Sequence, residues 1–153
     1  MEVNKMGHYF EDFEIGQEIR HCQSKTIFES DNNLFCMLTM NHHPVHINID
    51  YCKDQQHGQI LVPGTLVFCF VVHMTVMDIS GQAIANLEYE KIEHLAPSFI
   101  NDTLYSKTII LDKIESKSKK DRGILYVETI GYNQDNRIVI RFRRKILIKR
   151  KNI

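Results

Sequence analysis

From Gly81 onward the chain alternates apolar and polar side chains with a period of two, interrupted by turn signals at Pro97, Asn101-Asp102, Asp121 to Gly123 and Asn133 to Asn136. That rhythm predicts antiparallel strands over about 83–95, 103–115, 123–133 and 137–149, with a further strand near 18–27. In the last run Ile138, Ile140, Phe142, Ile146 and Ile148 share one face, while Arg137, Arg141, Arg143, Lys145 and Lys149 share the other. Such a strand is buried on one side and wet on the other. Arg144 is out of place on its apolar face. A different pattern covers Thr65 to Ile79, which is apolar nearly all round and follows Pro63-Gly64. Its length exceeds an ordinary strand and predicts a buried helix, with Thr65 available to cap its start and Gly81 to turn left-handed after its end. Ser30-Asp31-Asn32-Asn33 offers N-caps for a short helix through Leu38, and Pro44 should prevent a regular helix from continuing through His46.

Strands following one apolar helix predict an α+β fold, an antiparallel sheet curled around a central helix. A helix apolar on every side cannot be covered by one sheet, so a second copy of the chain is expected to hide the remainder, making a homodimer. No repeat, low-complexity tract or linker divides the sequence, and residues 1–153 are read as one domain. The 19 basic and 19 acidic side chains cancel, which removes the electrostatic footprint of a nucleic-acid partner. Cys22, Cys36, Cys52 and Cys69 form no CxxC pair. No charged-then-apolar leader pattern opens the sequence, so reduced thiols in a cytoplasmic protein are expected. The longest apolar run, Leu66 to Val72, is far short of the ~18 residues that would suggest a membrane span.

Two stretches carry candidate chemistry. Leu38 to Asn48 contains Asn41, His42, His43, Pro44 and His46; Ile60 to Leu66 contains Pro63 and Gly64 ahead of the apolar helix. With these residues the chain resembles the MaoC-like dehydratases, a hotdog-fold family that includes the R-specific enoyl-CoA hydratases, from about Tyr9 to Ile148. In that family a catalytic aspartate is followed by four residues and then a catalytic histidine, usually with Asn-Pro between; the matching positions are Asn41, His43-Pro44 and His46. A family glycine whose N–H polarises the thioester carbonyl matches Gly64, and the histidine commonly before it is Pro63 here. Tyr9 to Gln17 and Leu34 to Asn41 look more like the mesaconyl-CoA hydratase and methylmalyl-CoA dehydratase branch, whose members can carry asparagine at the position of Asn41. The resemblance implies a hotdog fold and a hydratase or dehydratase acting on an enoyl or 3-hydroxyacyl thioester of CoA or an acyl carrier. No cofactor beyond that carrier is implied.

Elementary chemistry asks for the same parts. Hydration of an enoyl thioester needs a base for water, an acid for the α-carbon and donors for the enolate oxygen. An imidazole such as His46 exchanges protons near neutral pH, whereas Asn41 can only orient water. The N–H of Gly64, at a helix N-terminus, joins a hydrogen-bond donor to the positive dipole end, and the missing side chain admits a thioester. Asp31 or His43 is a candidate auxiliary group, with helix capping as the competing role for Asp31 and simple loop exposure as that for His42 and His43. His46 itself has the competing reading of a histidine satisfied by backbone. His42, His43, His46 and His57 lie near Cys36 and Cys52 in sequence, but no CxxC or HExxH framework is present and no metal site is expected. Cys36 and Cys69 lie in apolar segments and are expected to be inert core thiols. Phe68, Phe70, Val72 and Met74 are either tunnel lining or ordinary core. A non-catalytic thioester-binding protein and a thioesterase are the remaining alternatives, the latter weakened because Asp78, the only acid of the central helix, lies at its far end.

Overall fold

A computed structural model describes residues 6–151. After a 3-10 turn at Phe10–Asp12 come β1 (Glu18–Arg20), β2 (Lys25–Thr26), α1 (Glu29–Leu38), α2 (Pro44–Ile47), α3 (Ile49–Lys53) and α4 (Gly64–Met74). A π-helical turn, Val76–Ser80, leads into β3 (Ala83–His94), β4 (Thr103–Glu115), β5 (Arg122–Tyr132) and β6 (Ile138–Lys149). The sheet runs β1-β4-β5-β6-β3, with β2 also on β4 and every pairing antiparallel. Strand β5 shows the period-two rule without a break: Gly123, Leu125, Val127, Thr129 and Gly131 are buried, and the residues between them are partly wet. Helix α4 lies across β4 and β5. It can approach closely because Gly131 has no side chain; a Cβ there would fall 2.6 Å from Val71 Cγ2.

Several local expectations change in the folded chain. The strand near 18–27 is two short pieces, β1 and β2. Ile138 is exposed and Val139 buried, because the β5–β6 register shifts between Gly131 and Tyr132 and a shift of one residue exchanges faces. Of the run Ser30 to Asn33 it is Asp31 that caps α1, from within the helix rather than before it: its carboxylate accepts the Phe28 N–H at 2.9 Å. Pro44 stops nothing at His46. It is the first residue of α2, where its missing N–H costs no hydrogen bond and its fixed φ suits the helix. Pro63, not Thr65, is the N-cap of α4. Regular α-helix ends at Met74 rather than Ile79, where the Thr75 hydroxyl donates to Val72 O at 2.6 Å and competes with the backbone ladder. Gly81 is right-handed (φ −61°). Its lack of a side chain matters for another reason, since a Cβ there would meet Gly7 at 2.7 Å.

The core has two parts. Ile27, Val67, Val71, Leu104, Ile140 and Phe142 pack around α4, and Phe10, Phe13, Ile79, Ile110, Leu125 and Ile146 fill the other end of the sheet. Val72 and Met74 are buried, while Phe68 and Phe70 pack against the first cluster, so all four are core. Arg144 is fully buried on the apolar face of β6, its guanidinium donating to Thr75 Oγ1 at 2.6 Å, at the C-terminal end of α4. That end carries the negative pole of the helix dipole, which favours a cation. Among the described residues, no helix is long and apolar enough to cross a membrane.

Candidate active site

Asn41 owes its position to the way α1 ends. Met40 adopts φ 58°, the Asn41 N–H reaches back to Cys36 O at 3.0 Å, and the Met40 N–H to Met37 O at 3.4 Å. This paired closure is a Schellman motif with methionine where glycine is usual. Four intervening residues later, α2 carries His46. His43 caps that helix, its Nδ1 accepting the Val45 N–H at 3.2 Å, and Asn32 Nδ2 donates to His46 O at 2.9 Å. His46 Nδ1 lies 2.6 Å from Leu61 O. A carbonyl oxygen can only accept, so Nδ1 carries the proton and Nε2 keeps its lone pair. Leu61 is held in turn, its N–H donating to Val45 O at 3.1 Å, while the next residue's N–H donates to Ser98 O at 3.0 Å. The loop thereby presents His46 as a base of defined tautomer.

Leu61 leads directly to Gly64, the first residue of α4, whose N–H has no hydrogen-bond partner among the described residues. Asn41, His46 and Gly64 line one cavity of about 570 Å³, a size suited to a small-molecule ligand. His57, weighed from the sequence only as a metal ligand, and His94, which the sequence did not single out, line it too. His94 ends β3 and lies against Gly64: a Cβ on Gly64 would fall 2.7 Å from His94 Cε1 and 2.9 Å from Nδ1. No local motif marks His94, and only sheet pairing brings it over the start of α4. His57 meets Phe99 edge to face, ring centroids 5.3 Å apart. Ser98 belongs to the same wall, and its Oγ is buried with no hydrogen-bond partner among the described residues.

The auxiliary candidates lie elsewhere. Asp31 is not among the cavity-lining residues and is engaged by Lys25 Nζ at 2.5 Å and by the Phe28 N–H. Burial raises its carboxyl pKa, but those two donors outweigh burial and hold it below the ordinary value. His43 is likewise outside the lining; its ring centroid lies 6.1 Å from that of His46, and one of its nitrogens is spent on the α2 cap. Asp78 belongs to the other end of the helix, where it takes His21 Nδ1 at 2.7 Å. Burial raises the Cys36 thiol pKa, as a core thiol requires. Among the described residues no three His, Cys, Asp or Glu side chains converge as metal ligands. The arrangement can hold a carbonyl oxygen at the Gly64 N–H, orient a water with the Asn41 amide and take a proton on His46 Nε2.

Known proteins resemble this chain at both levels. Residues 11–133 match the family described as MaoC like domain. The β-methylmalyl-CoA dehydratase of Chloroflexus aurantiacus is 30% identical over 146 residues, covering 95% of this chain and 41% of that protein. A mesaconyl-CoA hydratase of Cereibacter sphaeroides is 27% identical over 146 residues, covering 95% and 42%. The chain thus spans about two-fifths of the length of these curated relatives. In three dimensions it superposes with TM-score 0.87 on a Mycobacterium tuberculosis protein described as a double hotdog fold, at 20% identity, covering 95% of this chain and 45% of that one. A match over most of its length makes this chain a member of the MaoC-like domain family, and the sheet curled around α4 is the hotdog fold.

Proposed function

We propose that this domain adds water to, or removes it from, the acyl part of an enoyl or 3-hydroxyacyl thioester carried by CoA or an acyl carrier. The observation that carries the reading is His46, whose Nδ1 is tied to Leu61 O while its ring lines the cavity shared with Asn41 and Gly64. In hydration the Asn41 amide aligns a water, His46 Nε2 takes its proton as oxygen bonds to the β-carbon, the Gly64 N–H receives the charge growing on the thioester oxygen, and a proton delivered to the α-carbon re-forms the carbonyl. Dehydration runs the same steps backward. The scheme calls for no cofactor beyond the carrier. Thioester hydrolysis fits less well: no carboxylate lines the cavity among the described residues, and Asp78 is engaged by His21 at the far end of α4.

Two further parts of the reading rest on surfaces. Strand β3 ends the sheet with one edge unpaired and exposes Leu87 and Ile92, an edge that proteins rarely leave open. A second copy of the chain is the partner that fits it, and a homodimer should elute at twice the chain mass. Four free thiols suit a reducing compartment, with the cytoplasm as the working assignment.

The test follows the conjugated absorbance of crotonyl-CoA and mesaconyl-CoA with wild type and His46→Ala in parallel. Loss of the band with wild type alone supports hydration through His46. If folded wild type turns over neither substrate yet binds both, the domain is a thioester-binding module and the catalytic reading fails.

A further inference from the structure

Building on the hydration chemistry proposed above, on which this assignment rests, we infer that His94 is a second catalytic residue, the acid that delivers a proton to the α-carbon in place of a carboxylate at position 41. Asn41 has no proton to give, and the only titratable side chains lining the cavity among the described residues are His46, His57 and His94. His46 has one nitrogen bound to Leu61 O and presents a lone pair, which makes it the base. His57 packs its ring against Phe99. The His94 ring has no hydrogen-bond partner among the described residues, and three of its atoms would lie within 3.0 Å of a Cβ on Gly64.

That contact locates His94 relative to the reaction. If the thioester oxygen sits at the Gly64 N–H, the α-carbon is two bonds from it, about 2.4 Å away by standard bond lengths. The ring packed on Gly64 is therefore the imidazole within reach of the carbon to be protonated. His46 Nε2 takes one proton from water while the water oxygen bonds to the β-carbon. The π electrons pass to the α-carbon and thioester oxygen as an enolate. Protonated His94 then gives its proton to the α-carbon, the thioester carbonyl re-forms, and solvent exchange returns a proton from His46 to His94. The net change is one water across one double bond, with no oxidant or further reactant.

His94 is exposed at a strand end, so its replacement should leave the fold intact. His94→Ala and His94→Gln should each lower kcat about 100-fold or more, the scale of a lost general acid, with KM within about threefold of wild type. Added imidazole should restore His94→Ala in a dose-dependent way by filling the vacated space beside Gly64. Both variants within about threefold of wild type, alongside an inactive His46→Ala, would overturn the assignment and leave the hydratase reading standing. A low kcat that imidazole does not rescue, with a lowered melting temperature in His94→Gln, would make His94 structural and overturn it equally. An inert wild type removes the hydratase reading and this assignment together.

Discussion

Gly64→Ala separates the stability of α4 from the chemistry at its start. Gly64 is the first residue of α4 and its φ is not left-handed, so alanine fits the backbone without strain. Replacing glycine by alanine within a helix favours folding by up to ~1 kcal/mol. Against this, the new Cβ would stand 2.7 Å from His94 Cε1, 2.9 Å from Nδ1 and 3.0 Å from Nε2, closer than carbon atoms pack. The obstacle is the end of an exposed side chain rather than backbone, and the ring can swing away. Stability should therefore stay within about 1 kcal/mol of wild type, a change of roughly 2–4 °C in Tm for a chain of this size. Activity should behave differently. The methyl group occupies the approach to the Gly64 N–H and displaces His94, and losing one oxyanion donor alone costs about 10²–10³ in kcat. Thermal melts and enoyl-thioester absorbance on one preparation test both halves. A Gly64→Ala protein with an unchanged melt and at least half of wild-type kcat would refute the placement of the thioester beside Gly64.

Two other predictions concern the far end of α4. His21 uses both ring nitrogens, toward Asp78 at 2.7 Å and Thr108 Oγ1 at 2.8 Å; burial pushes its pKa below the ordinary value, with Asp78 pulling upward and Arg144 adding to the depression. A depressed histidine contributes stability that is full above its unfolded value near 6.5 and is lost as pH falls through the folded value, with a slope of at most about 1.4 kcal/mol per pH unit for one proton. Urea unfolding from pH 8 to pH 5 should show that loss in wild type and a shallower one in His21→Gln; parallel curves would sink the idea. Arg144 is a buried cation whose guanidinium is pushed below its usual pKa by desolvation and whose Nε has no hydrogen-bond partner. Arg144→Met keeps most of the volume and removes the desolvated charge, so it should fall within about 1 kcal/mol of wild type. Arg144→Ala leaves a cavity and should cost about 2–4 kcal/mol. Equal losses in the two variants by urea denaturation would contradict this account.

The long strands and the central helix were legible in the sequence because burial imposes a period: β4, β5 and β6 each meet the core with every second residue, and α4 is apolar because it is covered. Asn41, His46 and Gly64 were legible because the spacing of a loop and a Pro-Gly step are local features that survive in a string of letters. Arg144 was visible as an exception on the apolar face, although only the fold reveals what holds it, the hydroxyl at the end of α4.

What the sequence could not contain was decided by contacts between residues far apart in it. The hydrogen bond from His46 to Leu61 O, which chooses the tautomer, spans 15 residues. The Met40 turn that brings Asn41 inward depends on backbone closure at the end of α1, with no glycine to announce it. His94 had no motif of its own, and it reaches Gly64 because β3 pairs with β6 and carries its last residue over the first turn of α4. Periodicity and loop spacing follow from local geometry and are written along the chain. The meeting of imidazoles in one cavity follows from strand register and helix packing, which exist only once the chain has folded.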